Sequence, residues 1–422
     1  MMRLTGYIGY HIGLFAYTFL VRIAALWSDK AHKFIKGRNG LLKEIARQTA
    51  QDTRNKIWFH CASLGEFEQA RPVIERLKRA YPQYAIVITF FSPSGYEIRK
   101  NFEGADYVFY LPLDTRKHAE KFVSFVKIKL AFFVKYEIWY HYLKTLKEFD
   151  IPVLLISANI RPDHIYVKWY GTFFREMLHL FNHIFSQNER SDELLKANGF
   201  SNVSISKDTR FDRVFENSRQ VKELSLVKDF VKDERVLVIG SSYVQEETVV
   251  EACMQQLTDW KIIIAPHHIQ PGRITEICER FEKFGVTTYS ALNKNEALNL
   301  KKVLVIDNIG MLSSIYQYGD IAFIGGGYGK SGLHNTLEAA VFGMPILFGP
   351  NNLSKFPESL DMIDAGAGFV IKDAQSLDAY LKQWNAHPQT LKDIGAKAAR
   401  FISSQTGATQ HIFDYLESNK LV

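Results

Sequence analysis

The sequence predicts an α/β protein built from two doubly wound, Rossmann-like domains. The chain has 422 residues, which is too long for one ordinary hydrophobic core. After residue 50, short apolar runs rich in β-branched residues alternate with longer helical patterns. Many of these runs are continuously apolar, such as "RVLVIG" and "IAFIGGG". Such runs are typical of parallel strands that are covered on both faces.

The predicted strands form two series, separated by a charged stretch with little periodicity. The first series is 57–62, 85–91, 107–111, 130–135, 153–158, 183–187 and 203–206. The second series is 235–240, 261–266, 286–289, 303–307, 321–325, 345–348 and 368–371. Two alternating strand–helix series indicate two doubly wound domains, and ligands are expected in the cleft where such domains face each other.

The same pattern predicts where each part of the chain begins and ends. We predict an N-terminal arm, a first domain, a linker, a second domain and a C-terminal helix that packs back on the first domain. Their predicted bounds are 1–40, 41–211, 212–234, 235–400 and 401–422.

The positive charge of the chain is concentrated in the N-terminal arm. The net charge is +7, and residues 1–50 hold eight Lys and Arg but only two acids, which leaves about +1 for the rest. A nucleic-acid-binding protein would spread its basic residues over a folded face, so nucleic acid is not an expected partner. The fractions of hydrophobic (47%) and charged (23%) residues are those of a folded globular protein.

The arm is also strongly apolar. In "LTGYIGYHIGLFAYTFLVRIAALW", residues 4–27, only His11 and Arg22 interrupt the apolar run. Its length is about that of a bilayer-spanning helix, and the basic residues that follow would be attracted to anionic lipid headgroups. We therefore expect a membrane anchor, either spanning the bilayer or lying in its interface. The alternative is an amphipathic helix that packs on its own domain.

Neither a disulfide framework nor a metal site is predicted. The three cysteines, Cys61, Cys253 and Cys278, are far apart and lack metal-type spacing, which suits a reducing compartment. His267 and His268 are adjacent on a segment predicted to be extended, so their side chains should point to opposite sides. The chain has no Asp-x-Asp pair, which argues against a diphosphate donor held by a metal.

In the second half of the chain, the residues that follow strands predict a phosphate–sugar site. "IGSSYVQEE" supplies Ser241 and Ser242, "APHHIQPGR" supplies His267, and "IDNIGMLSSIY" supplies Gly310 at a strand-to-helix turn. The densest group is "IAFIGGGYGKSGLHNTLEAA", whose glycines let backbone approach a ligand closely. Asn335 could cap the following helix, and Glu338 is placed to bond a sugar hydroxyl. The alternative is a glycine-rich loop that only makes tight turns.

In the first half, charged residues follow the predicted strands. "HCASLGE" ends in Gly65 and Glu66 after the first strand, and "VKYEIWYH" places Lys135 and Glu137 after the fourth. Arg210 lies in "DTRFDR" after the last strand of this series. A carboxylate such as Glu66 can serve as a general base, but it can also be a helix-start residue stabilised by the helix dipole.

Taken together, these motifs resemble those of the 3-deoxy-D-manno-octulosonic acid (Kdo) transferases, inverting glycosyltransferases of the GT-B fold. "HCASLGE", "YEIWYH", "DTRFD" and "PHH" occur in the family's order, and "GGGYGKSGLHNTLEAA" is the most specific of the similar stretches. The resemblance runs from the N-terminus to about residue 370. It implies transfer of Kdo from CMP-Kdo to a lipid A precursor, at the cytoplasmic side of the inner membrane, without a metal or another cofactor.

The resemblance also implies roles for individual residues. Glu66 matches the family's catalytic base, and Gly65, Lys135, Glu137 and Arg210 are weaker candidates for acceptor binding. Two other readings stay open: a GT-B transferase that uses a UDP-sugar, and a non-catalytic, membrane-tethered protein that binds nucleotide sugars. The residues expected to bind the nucleotide sugar are Ser241, Ser242, Pro266, His267, Ile309, Gly310, Met311, Asn335, Thr336, Leu337 and Glu338.

Overall fold

The computed structural model describes residues 2–292, 300–330 and 332–422, and the chain divides into two compact units. The first unit comprises Met1–Asp212 and Gly407–Val422, and the second comprises Arg213–Thr406. Each unit contains one seven-stranded parallel sheet. All fourteen predicted strands are present, so the predicted α/β architecture with two doubly wound sheets is confirmed.

The sheet of the first unit has the order β3-β2-β1-β4-β5-β6-β7, and all its pairs are parallel. Strand order reverses at β1, because the chain runs outward to β2 and β3 and then returns to β4 on the other side. In doubly wound sheets, ligands bind at the carboxyl ends of strands beside such a switch point. The strands are β1 Lys56–Cys61, β2 Ala85–Phe90, β3 Tyr107–Tyr110, β4 Ile128–Val134, β5 Val153–Ala158, β6 His183–Ser186 and β7 Val203–Ile205.

Helices cover the sheet of the first unit. Within the described residues they are α1 Met2–Ala24, α2 Asp29–Lys36, α3 Leu41–Thr49, α4 Leu64–Ala80, α5 Pro93–Arg99, α6 Arg116–Val126, α7 Tyr140–Glu148, α8 Thr172–Leu178, α9 Glu189–Ala197 and α10 Thr209–Ser218, which continues into the second unit.

The sheet of the second unit has the order β10-β11-β9-β8-β12-β13-β14, with its switch point between β8 and β12. Its strands are β8 Arg235–Ser242, β9 Trp260–Pro266, β10 Val286–Thr288, β11 Val303–Val305, β12 Ile321–Ile324, β13 Ile346–Phe348 and β14 Gly368–Val370. The described helices are α11 Ser225–Val231, α12 Val244–Ala252, α13 Pro271–Phe281, α14 Leu312–Ile315, α15 Leu337–Ala340, α16 Pro357–Asp364, α17 Ala374–Ala386 and α18 Pro388–Gln405.

The continuous apolar runs form strands because both faces of each sheet are buried. All six residues of β1 are buried, and successive side chains enter different cores. Trp58 packs on one face, where its ring lies 4.9 Å from that of Phe122. Phe59 packs on the other face and stacks on Phe132 at 4.5 Å. Because the strands are parallel, the residues that follow them all lie at the same, carboxyl edge of the sheet.

The end of the chain and the stretch 212–234 can be compared with the predicted bounds. The last helix, α19 (Ala408–Ser418), belongs to the first unit, and Phe413 is buried in that unit's core. The carboxylate of Asp212 accepts hydrogen bonds from the backbone N–H groups of Gly407 and Thr409, both at 2.6 Å. The stretch 212–234 carries the end of α10 and all of α11, and from Arg213 it belongs to the second unit.

Helix α1 packs on the first unit by one face and exposes the other. Near its start Tyr7 contacts Phe173 of α8, with ring centroids 6.2 Å apart, and further on Tyr17 contacts Phe91, which follows β2, at 5.9 Å. The helix therefore runs along the carboxyl edge of the sheet. Its outer side chains are largely exposed, with exposed fractions of 73% for Phe15 and 53% for Phe19. In the described part of the chain, one helical segment, Leu4–Ala24, is both long enough and apolar enough to cross a membrane.

Candidate functional site

Glu66 is a buried carboxylate in the first turn of α4, directly after β1. Its exposed fraction is 5%, and its Oε2 accepts a hydrogen bond from the backbone N–H of Ala62. The pKa of Glu66 is raised to about 8, mainly by burial and also by the nearby charge of Glu137, whereas the N–H groups of Ala62 and Ser63 and the charge of Lys135 act in the opposite direction. A carboxyl group with a pKa near neutrality is suited to take up and release a proton.

Glu137 follows β4 and is held by a hydrogen-bond network that reaches into the sheet. The indole N–H of Trp139 lies 3.0 Å from Glu137 Oε2 and 3.0 Å from His60 Nε2, so it is shared between them. His60 is fully buried, and its Nδ1 lies 2.9 Å from Oγ1 of Thr89. Trp58 Nε1 donates to the same hydroxyl at 2.8 Å. The orientation of Glu137 is thus linked to fixed groups inside the core.

The topology explains why these two carboxylates lie close together. β1 and β4 are neighbours at the switch point of the sheet, and Glu66 and Glu137 follow their carboxyl ends. Lys135, between β4 and Glu137, has a φ of 63°, in the left-handed region that non-glycine residues rarely adopt. At Gly65, a Cβ would meet no atom within 4 Å. The backbone beside Glu66 is therefore open to a ligand.

Arg210 is fixed by a buried aspartate at the end of the same series of strands. Its guanidinium donates to Asp208 Oδ2 at 2.8 Å, and Gln69 and Gln187 donate to the same oxygen at 3.2 and 3.1 Å. Burial is the largest single influence and acts to raise the pKa of Asp208, but the charge and hydrogen bonds of Arg210, together with the charge of Lys135, outweigh it, so this pKa is below its usual value. Lys135 also lowers the pKa of Asp208, which places its ammonium charge near both this pair and Glu66.

In the second unit, a cavity of about 280 Å³ lies at the carboxyl ends of β8, β9 and β11. Five of the residues predicted to bind the nucleotide sugar line it together. Ser241 has a φ of 52°, and the register of β8 shifts at this point, so the chain bulges toward the cavity. Ile309 is 89% exposed at its rim. The five residues are Ser241, Pro266, His267, Ile309 and Gly310.

A stack of aromatic rings stands beside this cavity. The ring of His267 lies 5.1 Å from that of Tyr243 and 4.4 Å from that of His334. The prediction that His267 and His268 point to opposite sides is wrong: their rings are 4.5 Å apart, because the chain bends after β9 and is not extended there. Burial lowers the pKa of His267 below its usual value and that of His334 to about 4. These imidazoles are therefore neutral at physiological pH.

The other predicted nucleotide-sugar residues do not line this cavity, and they range from the exposed Asn335 to the buried Ser242, Thr336 and Leu337. Asn335 Oδ1 accepts from the N–H of Leu337 at 3.1 Å, and its amide donates to Glu338 Oε1 at 2.9 Å. Thr336 and Leu337 are buried, so Leu337 can offer a ligand only its backbone. Ser242 is also buried and donates to Glu247 Oε1 at 2.7 Å. Met311 takes the N-cap position of α14 and is half-buried.

The glycine run after β12 packs tightly against neighbouring backbone. A Cβ on Gly325 would lie 2.0 Å from the carbonyl oxygen of Ser241, and one on Gly327 would lie 2.4 Å from the amide of Gly349. The N–H of Gly326 donates to the buried carboxylate of Glu246 at 2.9 Å. These three glycines thus allow close packing, which is the alternative role considered for the run.

Several residues of the site had not been singled out from the sequence. Trp139 and His60 lie within the quoted stretches "VKYEIWYH" and "HCASLGE", so motif context was the available signal. Asp208, Tyr243 and His334 likewise lie within the quoted "DTRFDR", "IGSSYVQEE" and "IAFIGGGYGKSGLHNTLEAA", but their particular roles follow from their contacts. Among the described residues, no group of three or more His, Cys, Asp or Glu side chains is arranged to hold a metal ion.

Solved structures similar to this chain share its fold. The UDP-GlcNAc 2-epimerase of Neisseria meningitidis matches with a TM-score of 0.60 and 15% identity, over 86% of this chain and 100% of the other. MurG of Acinetobacter baumannii matches with a TM-score of 0.56 and 12% identity, over 86% and 99%. At such low identity these matches show the fold alone, and they agree with the expected GT-B architecture.

Sequence relatives are more specific. The family model described as 3-deoxy-D-manno-octulosonic-acid transferase matches residues 35–213. The 3-deoxy-D-manno-octulosonic acid transferase of Haemophilus influenzae is 26% identical over 86% of this chain and 88% of its own length. The enzyme of that name from Aquifex aeolicus is 26% identical over 80% and 88%. Fold and relatives together define a glycosyltransferase. Within that class, the chain is similar to the 3-deoxy-D-manno-octulosonic acid transferases.

Proposed function

We propose that this protein transfers Kdo from CMP-Kdo to a sugar hydroxyl of a lipid A precursor, with inversion at the anomeric carbon. The observation that carries the proposal is the buried Glu66, with its raised pKa, at the switch point of the first sheet, within the residues that match the Kdo transferase model. A sugar hydroxyl is a weak nucleophile, so a carboxylate must take its proton as the new bond forms.

The proposed reaction is a single displacement. The acceptor oxygen forms a bond to the anomeric carbon of Kdo, and the bond from that carbon to the CMP phosphate oxygen breaks. The acceptor proton passes to the Glu66 carboxylate, and CMP leaves with the bonding electron pair. Inverting sugar transfer proceeds through an oxocarbenium-like state. The position of Glu66 beside Gly65, where a Cβ would meet nothing within 4 Å, supports close approach of the acceptor.

We assign donor binding to the cavity of the second unit. Ser241, His267 and Gly310 line it at the carboxyl ends of the strands, where nucleotides bind in doubly wound sheets. The neutral rings of His267 and His334 offer stacking surfaces and hydrogen-bond positions rather than positive charge. Asn335 and Glu338, bonded to each other at 2.9 Å, are proposed to contact the sugar nucleotide at the start of α15. The proposal involves no metal or further cofactor.

We assign Glu137, Lys135 and Arg210 to the acceptor. The charge of Lys135 acts on both Glu66 and Asp208, the partner of Arg210, and these two cations suit an acceptor that carries phosphate groups. Helix α1 is proposed to attach the protein to the cytoplasmic face of the inner membrane through its exposed apolar side chains. Because α1 follows the carboxyl edge of the first sheet, attachment there would bring membrane-bound acceptors to the side on which Glu66 lies.

The test is incubation of the full chain with CMP-Kdo and a tetraacylated lipid A precursor, followed by mass spectrometry. The expected products are CMP and an acceptor whose mass has increased by Kdo. Absence of the product, in a preparation that is thermally stabilised by UDP but not by CMP or CTP, would replace this proposal by a UDP-sugar transferase. Donor binding without turnover would instead support a nucleotide-sugar-binding protein.

A further inference from the structure

A second cavity lies in the first unit, away from the residues assigned to catalysis. Its volume is about 320 Å³, and α1, the turn between α2 and α3, and the connection from β3 to α6 form its walls. Thirteen residues line it, and none of them is an aspartate or glutamate. Four of the thirteen are basic: Arg22, Arg38, Lys43 and His118. The cavity is therefore lined by positive charge without a matching carboxylate.

Arg38 is the most enclosed of the four. Its guanidinium donates to the carbonyl oxygens of Phe34, Phe91 and Leu111 at 3.1, 2.8 and 3.0 Å. It also lies 3.7 Å above the ring of Phe34. Burial lowers its pKa to about 10. Its hydrogen-bonding capacity is largely met by neutral carbonyls, but its charge has no carboxylate partner in the described part of the chain, which leaves a partly desolvated cation at the wall.

The other basic residues add donors. The Nδ1 atom of His118 lies 3.0 Å from the carbonyl oxygen of Leu113, which can only accept, so Nδ1 carries a proton and Nε2 is left for another partner. Arg22 and Lys43 are exposed, and neither forms an ion pair within the described residues. By contrast, Lys33 on the same arm pairs with Asp29 at 2.7 Å. Some basic residues of the N-terminal arm thus form ion pairs, whereas those that line this cavity have no acidic partner in the described part of the chain.

The surroundings of the cavity indicate which anion it would take. Thr18 and Arg22 come from α1, the exposed side chains of Phe15 and Phe19 lie on the same helix, and the exposed Leu26 follows its end. A ligand that combines a phosphate with acyl chains would place its charge in the cavity and its chains along this apolar surface. We propose that the cavity binds the phosphate headgroup of an anionic phospholipid, so that α1 is held at the membrane by a specific lipid contact as well as by apolar burial.

The test compares two double variants of the full chain that remove equal charge from the arm. Arg22→Gln with Lys43→Gln removes two residues of the cavity. Lys30→Gln with Lys36→Gln is the matched control, because neither lysine lines the cavity. Binding is measured by co-flotation with vesicles of phosphatidylcholine, either alone or with phosphatidylglycerol. We expect the cavity variant to lose at least tenfold in binding to the phosphatidylglycerol vesicles and the control less than threefold, with no difference on phosphatidylcholine. Equal losses would overturn the proposal in favour of diffuse attraction.

A second measurement separates membrane lipid from the phosphates of the acceptor. Transfer is assayed with acceptor dispersed in a nonionic detergent that contains no phospholipid. The proposal expects an unchanged KM and kcat for the cavity variant, which also shows that the variant is folded and that the transferase activity stands by itself. A KM raised tenfold in detergent, with unaltered binding to phosphatidylglycerol vesicles, would assign the cavity to the acceptor and overturn the proposal.

Discussion

The indole Nε1 of Trp139 lies 3.0 Å from Glu137 Oε2, and at the same distance from Nε2 of the buried His60. A single N–H is thus shared between a carboxylate at the surface of the site and an imidazole inside the sheet. Trp139 also packs against Phe91, with ring centroids 4.6 Å apart. The position of Glu137 is set by its surroundings, and its charge in turn raises the pKa of Glu66.

Removal of the indole N–H should change the pH dependence of transfer. In Trp139→Phe the ring can still pack on Phe91, but Glu137 loses the N–H that holds its carboxylate in place. A Glu137 carboxylate that is no longer held beside Glu66 repels it less, so the pKa of Glu66 falls and the rising limb of kcat/KM moves to lower pH, by about one unit or less. The measurement is kcat/KM between pH 5.5 and 9.5. The control is Trp169→Phe at a residue that is 80% exposed, and an unmoved limb would remove Trp139 from this role.

Replacement of the proposed base should greatly reduce turnover without changing the affinity for the donor nucleotide. Glu66→Gln keeps the size of the side chain but cannot accept the proton, so we expect kcat to fall by roughly 10²–10⁴-fold. Calorimetric binding of CMP should be unchanged. Glu68→Gln is the control. Glu68 lies two residues after Glu66 and pairs with Arg99 at 2.8 Å, so its replacement should lower kcat by less than a few-fold. Full activity of the Glu66 variant would exclude it as the base.

The raised pKa of Glu66 also predicts the pH dependence of activity and stability. Transfer needs the ionised carboxylate, so kcat/KM of the free enzyme should rise with pH and level off above about 8. Stability should change in the opposite sense. A carboxyl group whose pKa is higher in the folded state stabilises the protein fully below its unfolded value of 4.5, and this contribution is lost as pH rises toward 8. The free energy of unfolding of Glu66→Gln should therefore exceed that of the wild type at pH 9, by roughly 1 kcal/mol or more, and the gap should narrow at pH 5. A constant gap would contradict this shift.

Substitutions on the two faces of α1 should have different effects, one on the stability of the first unit and the other on membrane binding. Tyr10 donates to the buried Asp114, whereas Phe15 and Phe19 point away from the first unit. Tyr10→Phe removes a hydrogen bond to a carboxyl group, so we expect the free energy of unfolding to fall by about 1–3 kcal/mol while vesicle binding is retained. Phe15→Glu with Phe19→Glu should reduce vesicle binding and leave the free energy of unfolding nearly unchanged, because charged side chains on this exposed face oppose insertion into the membrane. Vesicle flotation and chemical denaturation measure the two effects, and equal vesicle binding by both variants would refute the assignment of the faces.

The glycine after β12 should tolerate no side chain. In Gly325→Ala the new Cβ would lie 2.0 Å from the Ser241 carbonyl oxygen, and the bulge at Ser241 leaves no simple adjustment. We expect a loss of about 1–3 kcal/mol in the free energy of unfolding. Gly272→Ala, in the helix α13, meets nothing within 4 Å and should be neutral or slightly stabilising. Similar stability of the two variants would show that the Ser241 bulge can relax.

The strands were predictable because a parallel strand buried on both faces needs a continuous apolar run, and each run occurs where such a strand lies. Glu66 and Glu137 could likewise be placed at strand ends by counting along the chain. The two faces of α1 could not be separated, because Tyr7 and Tyr17 on its packed face are about as apolar as the exposed residues. The shared N–H of Trp139 and the contact between His267 and His268 depend on loop conformations that no periodicity encodes. The tight packing of Gly325 depends on the left-handed conformation of Ser241, a residue type that gives no sign of it.

The rings of Tyr17, Phe91 and Trp139 are in contact one after another, from α1 to the indole whose N–H bonds Glu137. We infer that this series acts as a spacer, because rings in direct contact change their separation less than a flexible loop would. With α1 seated at the bilayer as proposed, the spacer fixes the height of the reacting group above the lipid surface. The protein would then select acceptors by a vertical dimension: a hydroxyl that sits at this height is reached, and one held much higher or lower by its own headgroup is passed over.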